Sequence, residues 1–171
     1  MFIFGYGSLV SVIGINGRNL SKKYVESDLQ EVRLNEYKRS WNAVGNFGEG
    51  SMRFLGLTED SRSYVNGVIF ELNYKDVETF LTSEGSHPSE QFPVYRFVDV
   101  TDKVYPKQIH QVFTCVTSRP QKGIEIPTYY LQIISKCLTI RGKEFESDFW
   151  KTTEDEESLI DFKNYRIEFH T

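Results

Sequence analysis

Phe2-Ile3-Phe4-Gly5-Tyr6-Gly7-Ser8-Leu9 is the stretch from which the fold reads outward. Three apolar residues ended by two glycines suit a buried strand that runs into a glycine-containing loop. Glycine admits the dihedrals a concave loop needs, so the backbone N–H groups there can be approached closely by a small anionic or carbonyl-bearing ligand. A tight turn with no ligand accounts for the same residues equally well. No Lys-Ser/Thr follows and the GxGxxG spacing is missing, which excludes a P-loop and a dinucleotide fingerprint.

Outward from this strand the period of the hydrophobic pattern assigns the rest. Val32–Trp41, Arg53–Leu57 and Val65–Leu72 read as strands, and the glycine-rich stretch Gly45 to Gly50 as a loop between extended segments. Tyr95–Val104 and Gln108–Val116 read as a hairpin with Pro106 in its connection, for a total of about six strands. Val77, Phe80, Leu81 and Glu84 fall at helical spacing, with Asn73 or Asp76 as a cap and Gly85 as terminator, predicting a helix over 74–84. Pro127 suits a first helical position, and Tyr130, Ile133, Ile134, Cys137, Leu138 and Arg141 then share one side until Gly142. The acidic run Glu154 to Glu157 reads as a solvated helix start. Strands mostly first and helices after them predict an α+β fold, a small mixed β-barrel or strongly curled sheet with flanking helices.

The chain has 171 residues, 39% of them hydrophobic and 26% charged, enough for one core. A single domain over 1–171 is expected, with 143–171 as a C-terminal helical or extended tail. A formal charge of −4 offers no basic surplus to displace phosphate counterions, so nucleic acid is not an expected partner. Cys115 and Cys137 are too few for a disulfide scaffold and fall in apolar stretches, as free core thiols in a reducing compartment do. No run approaches 18 apolar residues and the start has no secretory pattern, so the expected location is cytoplasmic, with no membrane partner. No His/Cys/Asp/Glu spacing suggests a metal, and no cofactor is expected. His87 and His170 read as surface or terminal residues, and His110 as one member of a strand.

Glu84 is the anomaly. It stands where the Val77, Phe80, Leu81 series calls for a fourth apolar side chain, and a carboxylate on a buried stripe is costly unless it is paired or has a role. An ordinary last-turn glutamate that frays into water is the plainer reading of this helix by itself.

Phe4-Gly5-Tyr6-Gly7-Ser8-Leu9 at the N-terminus, with Glu84-Gly85 after a short mid-chain helix, resembles the γ-glutamylcyclotransferase-like superfamily. Three further segments resemble it in the same order: Tyr37-Lys38-Arg39-Ser40-Trp41-Asn42, Asn66-Gly67-Val68-Ile69-Phe70-Glu71-Leu72, and Pro127-Thr128-Tyr129-Tyr130-Leu131. The resemblance implies a small β-barrel with helices and the release of 5-oxoproline from γ-glutamyl compounds. It gives Glu84 the role of general acid and base, gives the backbone of Tyr6, Gly7, Ser8 and Leu9 the γ-glutamyl group, and places pocket tyrosines near Tyr95 and Tyr130. The partner implied is therefore a small γ-glutamyl compound. Phe80-Leu81 stand where the family often has Leu-Asp, and Phe113 where some members have an inner-strand tyrosine. Ser86 to Pro93 has the look of an insertion that forms a lid or wall.

The chemistry is consistent with one carboxylate. The substrate's α-amine can close a five-membered ring on its own γ-carbonyl, so proximity is built in. That amine is an ammonium near neutrality, and a base must take a proton that the departing amine later needs back. A glutamate of ordinary pKa, about 4.3, is a poor base, and burial beside aromatic rings is the expected correction. The loop amides are the expected donors to the oxyanion. A non-catalytic binding module of the same fold is the alternative, and a hydrolase with Ser8 as nucleophile ranks last. Arg39 and Trp41 either approach the site or belong to a strand that exposes the arginine and buries the tryptophan.

Overall fold

The computed structural model describes residues 1–47, 50–86, 93–121 and 125–154. His87, His170, the bulk of the 86–93 segment and the tail from residue 155 on lie outside the described residues.

Strand β1 (Phe2–Gly5) is buried from Ile3 onward and lies inside the sheet. Its neighbour on one side is β3 (Gly50–Glu71), antiparallel, with Phe2 opposite Glu71 and Gly5 opposite Val68. Strand β2 (Gln30–Phe47) pairs antiparallel with β3 from Gln30↔Ile69 to Phe47↔Gly50. On its other side β1 runs parallel to β6 (Val112–Thr117), which pairs antiparallel with β4 (Tyr95–Asp99). The two-residue β5 (Val104–Tyr105) sits against β2. The order β4-β6-β1-β3-β2-β5 is a six-stranded mixed sheet, and a central strand with neighbours on both sides has the unbroken apolar character of Phe2-Ile3-Phe4.

The long β2–β3 hairpin corrects three expectations. Arg53–Leu57 and Val65–Leu72 are one strand, Val32–Trp41 is the middle of a longer one, and Gly45 and Gly50 lie in strands rather than in a loop. Bulges hide this continuity. Asp60 to Ser63 stand opposite Glu36 alone, whose φ is +65°, and the register shifts again between Trp41 and Ala43; each bulge interrupts the alternation by which a strand is read. The expected Tyr95–Val104/Gln108–Val116 hairpin is also modified. β4 and β6 do pair, but the Asp99 carboxylate accepts the Thr101 N–H at 2.9 Å, and the chain turns through Thr101–Lys103 into β5, away to β2.

β1 is short, and beyond its end β6 meets the hairpin directly. The Thr117 hydroxyl donates to Asn42 Oδ1 at 2.9 Å, and a Cβ at Gly56 would run into both groups. The sheet is therefore strongly curled, with α+β architecture.

Helix α1 (Val12–Asn16) is capped by Ser11, whose Oγ accepts the Ile13 N–H. A 3-10 turn at Tyr74–Asp76 leads into α2 (Val77–Ser83), where the 74–84 periodicity places it. Helix α3 (Thr128–Arg141) begins one residue after Pro127, whose carbonyl accepts the Tyr130 N–H at 2.9 Å, and buries Ile134, Cys137 and Leu138. Gly142, at φ +89°, ends it and starts α4 (Lys143–Lys151), which buries Phe145 and Phe149. Of the acidic run only Glu154 is described: it follows α4 and pairs with Lys38, while Asp155 to Glu157 lie outside the described residues.

Arg39 is not exposed. Two residues apart on β2, Arg39 and Trp41 share a face, and both are completely buried. The Arg39 guanidinium stacks 3.5 Å over the Phe149 ring and donates to Thr153 Oγ1, Asn66 O and Phe149 O, which fastens α4 to the sheet. Burial pushes it down to about 9, so the group is still a cation at neutral pH.

Candidate functional site

Glu84 is the residue after α2, and the helix end fixes it. The Gly85 N–H donates to Thr82 O at 3.1 Å, the Ser86 N–H to Leu81 O at 2.8 Å, and Gly85 takes a φ of +62°, the bond pattern of a Schellman cap. Gly85 O then accepts the Val94 N–H at 2.8 Å, tying the cap to the approach to β4. The Glu84 side chain is 11% exposed. It does not fray into water.

Its partner is Arg18, a residue for which the sequence offers no signal. Arg18 follows α1, and its N–H donates to Ile15 O at 3.1 Å. The guanidinium donates through Nε to Glu84 Oε1 at 2.8 Å, through Nη1 to Gly14 O at 2.9 Å and through Nη2 to Ser8 Oγ at 3.0 Å. Burial pulls Arg18 down, and the Glu84 carboxylate overrides this, leaving its pKa above the ordinary arginine range. Beside the expected aromatic rings the carboxylate meets a guanidinium that the sequence does not signal.

Ser8, Arg18 and Glu84 open into one cavity of about 250 Å³, whose wall includes Phe54, Tyr95, Tyr129 and Tyr130. The Tyr95 hydroxyl donates to Leu55 O at 2.9 Å. Tyr130 stacks edge-on against Phe54 and Trp41. Burial raises both phenols well above the ordinary tyrosine range, so both are neutral donors at physiological pH.

Within this geometry the cavity brings together Ser8, Glu84, Tyr95 and Tyr130. Gly7 borders it through its backbone: φ is +62°, and the Tyr130 hydroxyl is 2.9 Å from where a Cβ would stand. Tyr6 and Leu9 do not line it. The Tyr6 hydroxyl donates to Cys115 O at 2.6 Å, and the Leu9 N–H is spent on Tyr6 O at 3.2 Å. Phe113 does not line the cavity either; it stacks on Phe97, which also meets Phe80. His110 stacks on Phe2, and neither Arg39 nor Trp41 lines the cavity.

Compared with solved structures, the chain superposes on a gamma-glutamyl cyclotransferase with a TM-score of 0.67 over 95% of this chain and 98% of that one, at 16% identity. The chain shares the fold of that structure. Two further structures share this γ-glutamylcyclotransferase-like fold. An uncharacterized Homo sapiens protein gives a TM-score of 0.64 at 16% identity, covering 95% of this chain and 97% of that one. YkqA from Bacillus subtilis gives 0.63 at 18% identity, covering 88% of this chain and 53% of that one. By sequence, no family model and no curated protein matches.

The arrangement allows proton transfer at Glu84 and charge pairing at Arg18. It gives Ser8 no base, because the group bonded to its hydroxyl is a guanidinium, which does not accept protons. Among the described residues no three His, Cys, Asp or Glu side chains are placed to hold a metal, and no helix is long and apolar enough to cross a membrane.

Proposed function

We propose that the cavity binds a γ-glutamyl compound and cyclises it to 5-oxoproline with release of an amino acid, peptide or amine. The observation that supports this reading is the placement of Glu84: a carboxylate fixed by a helix cap stands in the same cavity as Ser8 of the Gly5–Leu9 bend, with Arg18 bonded to both.

In this reading the Glu84 carboxylate takes one proton from the substrate's α-ammonium. The freed amine attacks the γ-carbonyl carbon, a C–N bond forms, and the carbonyl electron pair moves to oxygen. Collapse of the tetrahedral species breaks the bond to the leaving nitrogen, which takes the first proton back from Glu84. The carboxylate then takes the ring nitrogen's second proton, and the released amine carries that proton off as an ammonium, leaving the ring amide of 5-oxoproline neutral. The neutral Tyr130 hydroxyl, close against Gly7, would serve as a donor to the substrate beside the loop backbone.

The test is incubation with glutathione and a series of γ-glutamyl amino acids and amines, with 5-oxoproline measured by mass spectrometry. Glu84→Gln is expected to reduce its formation about 100- to 10,000-fold. Unchanged turnover in that variant removes Glu84 from the mechanism. The Arg18 ion pair favours a second reading as well, because a carboxylate already paired with a cation suits binding of a charged ligand without turnover. That reading expects ligand-dependent thermal stabilisation with no product.

A further inference from the structure

A carboxylate and a guanidinium joined at the base of a cavity are the complement of an α-amino acid head group, which carries an ammonium and a carboxylate on one carbon. Arg18 has donors for such a head. Of its five N–H groups, Nε, Nη1 and Nη2 each use one on Glu84, Gly14 and Ser8, and each terminal nitrogen carries a second. Arg18 lines the cavity, and its side chain is 20% exposed. The three bonds also fix the plane of the guanidinium before any ligand arrives, which lowers the ordering cost of binding.

We propose that Arg18 receives the α-carboxylate of the ligand while Glu84 receives its ammonium, so that the site selects compounds with a free α-amino acid head over amines that lack the carboxylate. The proposal rests on the cyclotransferase reading for the chemistry that follows binding, and its own content is the carboxylate. A planar fork that donates two parallel N–H bonds to one carboxylate gives both strength and orientation. Orientation matters here because the carboxylate and the ammonium share a carbon: seating the first on Arg18 aims the second at Glu84.

The test compares γ-L-glutamyl-4-nitroanilide with 4-aminobutyryl-4-nitroanilide, which has the same amine and the same scissile bond but no α-carboxylate. In both, the amine forms the new C–N bond, the anilide C–N bond breaks and 4-nitroaniline leaves with the proton; the products are 5-oxoproline and 2-pyrrolidinone. The protein is expected to prefer the first by about 10- to 100-fold in kcat/KM, and Arg18→Ala to abolish most of that preference. The ratio of the two substrates in one preparation is insensitive to the folded fraction, a property a merely structural role for Arg18 cannot imitate. Should Arg18→Ala fail to fold, Arg18→Lys is read the same way, with the preference expected to fall.

A preference that survives substitution, or the absence of any preference in the unaltered protein, overturns the proposal while leaving cyclisation intact. If nothing is turned over, the same two compounds are compared by calorimetry. Tighter binding of the carboxylate-bearing one, dependent on Arg18, upholds the proposal and removes the cyclotransferase reading; equal binding or none overturns both.

Discussion

At Gly7 the left-handed backbone and the Tyr130 hydroxyl leave room for hydrogen alone. Gly7→Ala is expected to cost about 1–2 kcal/mol from the dihedral, and to shift Tyr130 enough to lower 5-oxoproline formation by about 10- to 100-fold. Thermal unfolding and the mass-spectrometric assay read the two effects separately, and an alanine variant with native turnover removes Gly7 and Tyr130 from the site. A second residue-level expectation concerns the tyrosines. Burial, and then Asp76, raises Tyr24 to about 12, while burial holds Tyr6 and Tyr95 well above the ordinary range. The unfolded chain releases phenol protons near pH 10. Above that pH it binds fewer protons than the folded protein, so stability falls with rising pH. For Tyr24 the loss is spread between about pH 10 and 12, and these groups leave stability flat below it. Urea unfolding across this range checks the slope, and phenolate absorbance that coincides in folded and denatured protein contradicts it. Gly7 and Glu84 are legible in the sequence because each breaks a local pattern, a strand that stops and an apolar stripe with a charge in it. Arg18 breaks none; ten positions beyond Ser8 it has the look of any solvated charge, and only the meeting of α1, the bend and α2 gives it a partner.

At the scale of elements, α4 is held to the sheet by the buried Arg39. Replacing it with methionine fills space but leaves Asn66 O and Phe149 O without this donor, so Arg39→Met is expected to cost about 3 kcal/mol or more in urea unfolding. Arg39→Lys is expected to recover little, since an ammonium cannot span three acceptors in a planar fork or stack on Phe149. A loss below about 1 kcal/mol, the cost of an ordinary surface contact, contradicts this role. Helices α2 and α3 follow from short-range spacing and from Gly85, Pro127 and Gly142, which act locally. Strand lengths do not, because the bulges opposite Glu36 and at Asn42 reset the alternation. Parity carries more information than residue type on β2: Arg39 and Trp41 are two apart, and burial of the tryptophan already requires the arginine to face inward with it.

At the scale of the whole molecule, the cavity exists because the sheet curls. Glu84 comes from the end of α2, Ser8 from the bend after β1, Tyr95 from β4 and Phe54 from the far half of β3. The far half of that hairpin meets β6 at Gly56, Asn42 and Thr117. This closure was foreseeable in kind from an α+β pattern with one buried central strand, but not in place, since it joins residues 75 positions apart in the chain. Gly56→Val tests it. The added side chain would collide with Thr117 Oγ1 and Asn42 Oδ1, neither of which is the tip of a long flexible chain. Overpacking of this kind costs about 1–3 kcal/mol. The neighbouring Leu55 carbonyl, which accepts the Tyr95 hydroxyl, moves with the strand. The variant is therefore expected to melt at lower temperature and, per folded molecule, to form 5-oxoproline more slowly with a raised KM, because one wall of the cavity has been displaced while Glu84 and Arg18 keep their own bond. A variant with native melting shows that the β3–β6 contact does not close the sheet; one with lowered melting and native KM separates the closure from the cavity.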